Sequence, residues 1–323
     1  MVVLLALLGC LSPSTVEPPA PYVVTRAALA AHVEFLADDR LAGRLPGTAG
    51  DRIATDYIAE AFADVGADPL LDDWFQPFRL VTREETRNVI AVVPGRAVPD
   101  EYVLFVAHHD AQGQCGDPSA ADRICNGAVD NASGIALLIE LARLFAEAPA
   151  ARSIIFLASA AEERGLLGAK AFVAEPPVPL SSIRAAIGLD TLAARGYTRD
   201  VGLLGEGLTT LDDLAASAAA GEGRRLVGAR DAQGFYARSD HFVFAEAGVP
   251  AVMFSGIFAP VNGGLTATPY YRNRYHSPAD DADAGIDYSG VQADAGMLLN
   301  FARAIADAET APGWTRNVPY RRR

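Results

Sequence analysis

Two histidines and an aspartate follow directly after one apolar run. The stretch LFVAHHDAQG spans residues 104–113, and it holds two of the five histidines in this chain of 323 residues. Residues two apart on an extended chain point to the same side, so His108 and Asp110 face one site while His109 faces away. An imidazole beside a carboxylate is typical of a metal-ligating histidine whose tautomer its neighbour fixes. The sequence therefore predicts a strand that ends in a metal ligand.

Acidic residues and a further histidine come at the ends of other predicted elements: Asp130 before a helix, Glu162 and Glu163 after a strand, Asp190 at the end of another strand, and His276 in the late loop YHSPADD. Functional sites in open parallel sheets collect beyond the carboxyl ends of the strands. Each residue alone has an ordinary structural explanation, as a helix start, a solvated pair or a polar turn. Together, two histidines, three carboxylates and a spare glutamate suit two zinc ions bridged by a carboxylate.

Hydrophobic periodicity predicts the elements that must position these residues. The expected helices cover residues 26–38, 48–65, 133–148, 165–175, 211–220 and 288–308. The expected strands cover residues 87–95, 101–108, 153–160, 183–190 and 250–255, with the first two as neighbours. This alternation is typical of an α/β fold with helices on both faces of a mainly parallel, mixed sheet. With no internal repeat or linker, we predict a single domain over residues 26–310 and a polar tail over 311–323.

The charge balance disfavours several classes of partner. Forty acidic against 27 basic residues give a net charge of −13, whereas nucleic acid and anionic membrane surfaces are bound mainly through Lys and Arg. The basic end, Arg321 to Arg323, is interpreted as a solvated tail. No run of about 20 consecutive apolar residues occurs, so we expect no segment that spans a bilayer.

The first 25 residues differ in character from the rest. The apolar stretch MVVLLALLGC ends at Cys10 and precedes a Pro-rich tether, LSPSTVEPPAPYVVT. The stretch resembles a bacterial lipoprotein signal, in which Cys10 would be lipidated after cleavage, although basic residues near Met1 are absent; the alternative is a frayed apolar terminus. We expect export, to the periplasm, the cell envelope or the medium. Cys115 and Cys125, ten residues apart in a polar loop, would pair in an oxidising compartment; otherwise they are two free thiols.

Several segments resemble those of the M28 metallopeptidases, a family of co-catalytic zinc aminopeptidases and their relatives, in their amino-acid sequences and in their order along the chain. The resemblance runs from about Ala30 to about Ala306. The segments that carry it are LAGRLPGTAGDRIATDYIAEAFADVG (41–66), AHHD (107–110), GAVDNASG (127–134), AEERGLLGAKAF (161–172), GLD (188–190), SDHFVFAEAGVPAV (239–252) and YHSPADD (275–281).

The resemblance implies a role for each candidate residue. Asp130 bridges two Zn²⁺, His108 and Asp190 complete one zinc site, and Glu163 and His276 complete the other. Glu162 serves as general base and then as general acid, Asp110 orients His108, and Tyr236 steadies the oxyanion unless it is a packed aromatic.

The resemblance also implies a cis peptide bond between Asp130 and Asn131. His109 takes a variable position and is expected to line the pocket, whereas His241 is interpreted as structural and His32 as a surface residue.

The function that these observations favour is hydrolysis of peptide bonds, with removal of N-terminal residues as the first hypothesis. The alternatives are a carboxypeptidase-like or other amide hydrolase on the same two-zinc site, and a glutaminyl cyclase with one zinc. A non-catalytic ectodomain is disfavoured because no ligand position is lost. The sequence contains no H-E-x-x-H, G-x-S-x-G, phosphate-loop or G-x-G-x-x-G motif.

Overall fold

The computed structural model describes residues 23–228, 230–255, 269–315, 318 and 320. The apolar stretch that ends at Cys10, most of the tether and the terminal arginines lie outside the described residues. Within them, no helix combines the length and the apolar character that crossing a bilayer requires.

The described residues form eleven strands and eight α-helices. The strands are β1 (Asp68–Pro69), β2 (Phe75–Arg79), β3 (Glu85–Val93), β4 (Val98–His108), β5 (Gly113–Gln114), β6 (Ile124–Cys125), β7 (Arg152–Ser159), β8 (Ile183–Gly188), β9 (Asp200–Leu204), β10 (Arg225–Val227) and β11 (Ala251–Ser255). The helices are α1 (Arg26–Leu36), α2 (Ala49–Asp64), α3 (Ser133–Glu147), α4 (Leu167–Ala174), α5 (Asp212–Gly221), α6 (His241–Glu246), α7 (Pro269–Asn273) and α8 (Ser289–Asp307).

A nine-stranded mixed sheet forms the centre of the fold, in the order β1-β3-β7-β4-β8-β11-β9-β10, with β2 paired to β3. The central pairs β7·β4, β4·β8 and β8·β11 are parallel, whereas β1, β2 and β7 all pair antiparallel with β3. The α/β architecture with a mixed sheet is thus confirmed, with its parallel part in the middle. The expected pairing of the first two predicted strands is wrong, because β7 lies between β3 and β4.

Apolar residues on the two faces of the sheet belong to two separate cores. Along β4, Phe105 packs into one core with the helices α1, α2, α3 and α8, while Leu104 and Val106 pack into the other with α4 and α6. All eight residues of β7 are buried. A strand that is buried on both faces has a nearly continuous run of apolar residues. The central strands could therefore be predicted from the sequence.

Candidate metal centre

The carboxyl ends of three adjacent parallel strands meet at one edge of the sheet. His108, the last residue of β4, lies opposite Ser159, the last residue of β7, and β8 ends beside them at Gly188. The chain leaves β7 toward Glu162 and Glu163, and it leaves β8 toward Asp190. The predicted strand ends therefore bring their polar residues to one place.

Left-handed backbone conformations turn the chain at this edge. Ala161, just before Glu162, has a φ of 56°, Thr191, just after Asp190, has a φ of 51°, and His276 itself has a φ of 53°. Such conformations are uncommon for residues other than glycine, and they concentrate at functional sites where surrounding contacts hold them. The directions of Glu162, Asp190 and His276 thus depend on a left-handed residue that is adjacent in the chain or, for His276, is the residue itself.

Asp130 lies between the two histidines. Its Oδ1 atom is 3.2 Å from Nε2 of His108, and its Oδ2 atom is 3.2 Å from Nε2 of His276. The carboxylate is buried and directs one oxygen to each imidazole. This is the arrangement expected of a carboxylate that bridges two metal ions.

Two groups of potential ligand atoms lie at this edge. His108, Glu162 and Asp190 form one group, and Asp130, Glu163 and His276 form the other, with the ligand atoms of each group within 4.8 Å of one another. Asp130 also lies 3.2 Å from His108, so either Asp130 or Glu162 can be the third donor beside His108 and Asp190. Nε2 of His276 is 3.0 Å from Oε1 of Glu163, and Nε2 of His108 is 3.7 Å from Oδ1 of Asp190. Imidazole nitrogens and carboxylate oxygens are donors that Zn²⁺ takes in proteins, so the residues fit zinc.

Asp280 holds the backbone at Asp130 through hydrogen bonds. Its carboxylate accepts hydrogen bonds from the backbone N–H groups of Val129 at 2.9 Å and Asp130 at 3.1 Å, and from the Tyr270 hydroxyl at 2.9 Å. Asp280 is buried. Sequence reasoning missed this role, although the residue lies in the same YHSPADD segment as His276.

The turn that carries Asp130 is built from backbone and side-chain contacts. The Asp130–Asn131 peptide bond is cis, as the resemblance implied. The Asn131 amide donates to the carbonyl of Leu189 at 2.8 Å and accepts from the N–H of Gly134 at 3.1 Å. Gly127 starts the turn with a φ of 58°, and a Cβ there would lie 2.1 Å from the Asp130 carbonyl oxygen. Only glycine fits that position.

The carboxylate of Asp110 holds the turn of Glu162 and Glu163 more directly than it orients His108. It accepts hydrogen bonds from the backbone N–H groups of Glu162 at 3.0 Å and Glu163 at 3.3 Å. Nδ1 of His108 lies 3.2 Å from the Asp110 backbone carbonyl but 3.7 Å from its carboxylate. Asp110 therefore fixes the imidazole mainly through its main chain, and its side chain holds the two glutamates.

A buried arginine lies beneath the site. The Arg44 guanidinium donates to the backbone carbonyls of His109 at 2.6 Å, Asn126 at 2.6 Å and Gly127 at 3.1 Å, and also to that of Leu36. Burial lowers the pKa of Arg44 to about 10, against the opposing effect of nearby carboxylates, so the group stays charged at neutral pH. Arg44 joins the loop after β4 to the loop before Asp130. Arg44 was not predicted as a site residue from the sequence, since an arginine that follows a glycine is more typical of the surface.

Burial also shifts the acidity of the proposed base. It raises the pKa of Glu162 well above its ordinary value; His108 opposes this rise, and the carboxylates of Asp190 and Asp240 reinforce it. Burial alone would lower the pKa of His108, but the surrounding carboxylates raise it well above its ordinary value. The rise reflects carboxylates crowded together at a buried edge, and a cation bound among them would oppose it.

A cavity of about 410 Å³ opens over the metal ligands. Its lining combines the ligand carboxylates and imidazoles with aromatic side chains (Phe235, Tyr271 and Tyr275), with Met253 and with two cations (Lys170 and Arg238). A concave site with apolar walls and convergent polar groups is the usual form of a substrate pocket.

Comparison with known proteins agrees with this geometry. The family model described as peptidase family M28 matches residues 88–302, about two thirds of the chain. The chain belongs to peptidase family M28. A probable zinc metalloprotease of Pyrenophora teres f. teres (strain 0-1) is 39% identical over 92 residues, which are 28% of this chain and 19% of that protein. The chain spans about a fifth of the length of that protein and of two further curated relatives that it matches.

Solved structures share the fold of this M28 protein. A zinc aminopeptidase from Bacillus subtilis superimposes with a TM-score of 0.65 at 15% identity, over 88% of this chain and 96% of that one. A glutaminyl cyclase from Porphyromonas gingivalis superimposes with a TM-score of 0.67 at 19% identity, over 86% of this chain and 98% of that one. At this level of identity, the similarity shows the fold alone.

Tyr236 does not face the cavity, so its expected position is wrong. Its hydroxyl donates to the Ala251 carbonyl at 2.9 Å, and its ring packs edge-on against His241 at a centroid distance of 5.0 Å. The side chain is buried in the core on the α6 face. The neighbours Phe235 and Ala237 line the cavity instead, because the chain around Tyr236 turns its ring inward.

The other histidines of the M28 chain have structural environments. His109 is buried and its Nε2 lies 3.0 Å from Oδ1 of Asp51, so the expectation that it lines the pocket is wrong. His241 is fully buried, and burial lowers its pKa to about 3, in keeping with a neutral structural residue. His32 is half-buried, with Nδ1 2.8 Å from the Tyr57 hydroxyl.

Cys115 and Cys125 form a disulfide with their Cα atoms 5.8 Å apart, which confirms the predicted pairing. The bond closes the short hairpin of β5 and β6. Cys125 and Gln112 line a narrow crevice beside Asp130 and His276, and the disulfide loop does not reach the described lining of the main cavity. The loop therefore lies beside His276 and does not form the rim of the main cavity.

The two adjacent glutamates of the M28 site have separable roles. We expect Glu162→Gln to keep the zinc content of the wild type while turnover falls roughly 10²-fold or more, the scale of general acid–base catalysis. Glu163→Ala should lose zinc, because it removes one of three donors from its group. Metal analysis with steady-state kinetics measures both effects, and Glu60→Gln on the exposed side of α2 is the matched control. Normal metal content and activity in both variants would show that the roles are misassigned.

Asp280 offers a test of how Asp130 is positioned. Asp280→Asn replaces a carboxylate that accepts two backbone N–H bonds, so the bridging residue should lose its fixed orientation. We expect zinc affinity to fall about 10- to 100-fold, as for other residues that orient metal ligands. Competition with a chelator of known affinity measures this, with the exposed Asp283→Asn as control. An unchanged affinity would assign Asp280 a purely structural role.

Proposed function

We propose that this protein is a zinc-dependent peptidase that binds two Zn²⁺ and removes residues from the N-termini of peptides. The observation that carries the proposal is the position of Asp130, whose two oxygens each lie 3.2 Å from a different histidine. Each histidine also has a further carboxylate of its own. Three donors for each ion, with one carboxylate shared, account for every ligand position that the resemblance implied.

The residues of the chain divide the chemistry between them. Zinc bound in such a site polarises the scissile carbonyl and lowers the pKa of water. Glu162 accepts a proton from the water that attacks the carbonyl carbon. When the C–N bond breaks, Glu162 returns the proton to the leaving nitrogen, which departs as an amine. Asp110 holds the backbone of Glu162 in place during both transfers.

The direction of cleavage is supported by similarity. The zinc aminopeptidase from Bacillus subtilis shares the fold. The glutaminyl cyclase from Porphyromonas gingivalis shares it as well, and it is the second candidate because the same cavity would accept an N-terminal residue.

A metal count and a substrate panel test this function. We expect about two zinc ions per chain and loss of activity with a chelator, restored by added Zn²⁺. Amino-acyl p-nitroanilides and free peptides should be cleaved, whereas N-acetylated peptides should not. One zinc per chain with cyclisation of an N-terminal glutamine would favour the cyclase. Cleavage of N-acetylated peptides from their C-terminal end would reverse the proposed direction.

We also propose that the protein acts outside the cytoplasm, with Cys10 as the site of a lipid anchor. The apolar stretch that ends at Cys10 supports this, as does the Cys115–Cys125 disulfide, since such bonds persist in oxidising compartments. In a Gram-negative host, the full chain should incorporate labelled palmitate and sediment with membranes, and Cys10→Ala should lose the label. Unlabelled wild-type protein in the cytosol would contradict the proposal.

A further inference from the structure

The cavity over the metal ligands holds two positive side chains that neither metal binding nor proton transfer uses. Lys170 and Arg238 both line it. The Nζ atom of Lys170 donates to the Gly165 carbonyl at 2.9 Å, which ties this amine to the backbone. Arg238 has no ion-pair partner among the described residues. Its guanidinium is therefore available to a ligand.

An aromatic ring lies against the guanidinium of the exposed Arg238. The guanidinium carbon is over the Phe235 ring, 5.0 Å from the ring centroid, and both side chains line the cavity. Tyr271 lines the same cavity. An arginine held on an aromatic face keeps its planar donors directed outward.

The backbone that carries Arg238 is anchored beside the proposed base. Two residues after Arg238, the carboxylate of Asp240 is buried and accepts a hydrogen bond from the hydroxyl of Ser159. Ser159 is the last residue of β7 and precedes Glu162 by three residues. The main chain two residues after Arg238 is thus held by a buried contact with the end of β7.

The charges in the cavity then favour an anion. Its described lining includes four carboxylates, those of Asp130, Glu162, Glu163 and Asp190, and two divalent cations at the proposed site would balance them. The charges of Lys170 and Arg238 remain in excess. A substrate group that carries a negative charge would satisfy them, and guanidinium matches a carboxylate with two parallel hydrogen bonds.

We propose that Arg238 determines specificity by binding a carboxylate of the peptide substrate. This rests on the proposed peptidase function and defines its substrate class. The carboxylate belongs either to an acidic side chain next to the scissile bond or to the C-terminus of a short peptide. Arg238 contacts the substrate but takes no part in proton transfer. Its loss should therefore change the choice of substrate and leave the chemistry of neutral substrates intact.

Three matched pairs of peptides separate the sources of the carboxylate. Leu-Ala against Leu-Ala-amide tests the C-terminus, while Leu-Asp-amide against Leu-Asn-amide and Asp-Ala-amide against Asn-Ala-amide test the side chains on either side of the bond. We expect the wild type, loaded with zinc, to favour the charged member of at least one pair by about 3- to 30-fold in kcat/KM. The preference should weaken as ionic strength rises.

Variants of the full chain connect this preference to Arg238. Arg238→Gln should bring the ratio for the favoured pair close to one while kcat/KM for the neutral member changes less than about twofold. Arg238→Glu should turn the preference against the charged member, since like charges repel in the cavity. Arg96→Gln is the control, because Arg96 is an exposed arginine at the opposite end of the sheet, paired with Asp307.

The outcomes separate this inference from the function on which it rests. Hydrolysis of the neutral peptides with no preference in any pair, or with a preference that Arg238→Gln leaves unchanged, overturns the role of Arg238 and keeps the peptidase. If none of the six peptides is hydrolysed, the proposed function is overturned and the inference with it. A preference that Arg238→Gln removes and Arg238→Glu inverts supports both.

Discussion

The concentration of carboxylates in one buried edge of the sheet is the constraint on which the rest of the structure depends. Like charges close together in a poorly hydrated site repel strongly unless cations lie among them. Beneath the site, Arg44 is the buried cation; its surrounding carboxylates are those of Asp110, Asp280, Asp130 and Glu163. Within the site, His108 and His276 stand on either side of Asp130. Zinc would supply the remaining positive charge, so metal binding and the stability of this edge are linked.

The fold meets this constraint by making the supporting residues rigid. Central strands buried on both faces fix the positions of His108 and of the turn after β7. Backbone groups then do much of the orienting: N–H groups hold Asp110 and Asp280, and carbonyls hold Arg44. Asp110, Asp280 and Arg44 each have hydrogen-bond partners, so these three groups do not carry the cost of an unsatisfied buried polar group. The hydrogen bond from Ser159 to Asp240 likewise holds the chain just after Arg238 beside the end of β7.

The sequence was most informative where one physical signal dominated. Long apolar runs marked β4, β7 and β8, since burial on both faces leaves no polar positions. The short strands β2, β9 and β10 were missed, because β2 and β9 have only five residues each and β10 has three. The sequence also did not predict the strand order, because β7 follows β4 and α3 in the chain but lies between β3 and β4 in the sheet.

The sequence by itself determined the type of site, because the five ligand positions and Glu162 come at the ends of recognisable elements and follow the order of one family. It also determined the pairing of Cys115 with Cys125, once export was assumed. Only the tertiary structure decided the surroundings of those residues. Tyr236 points into the core, Asp280 and Arg44 lie behind Asp130, and Arg238 faces the cavity. Such roles depend on the direction of side chains and on contacts between distant segments, which packing of the whole chain sets and local pattern does not encode.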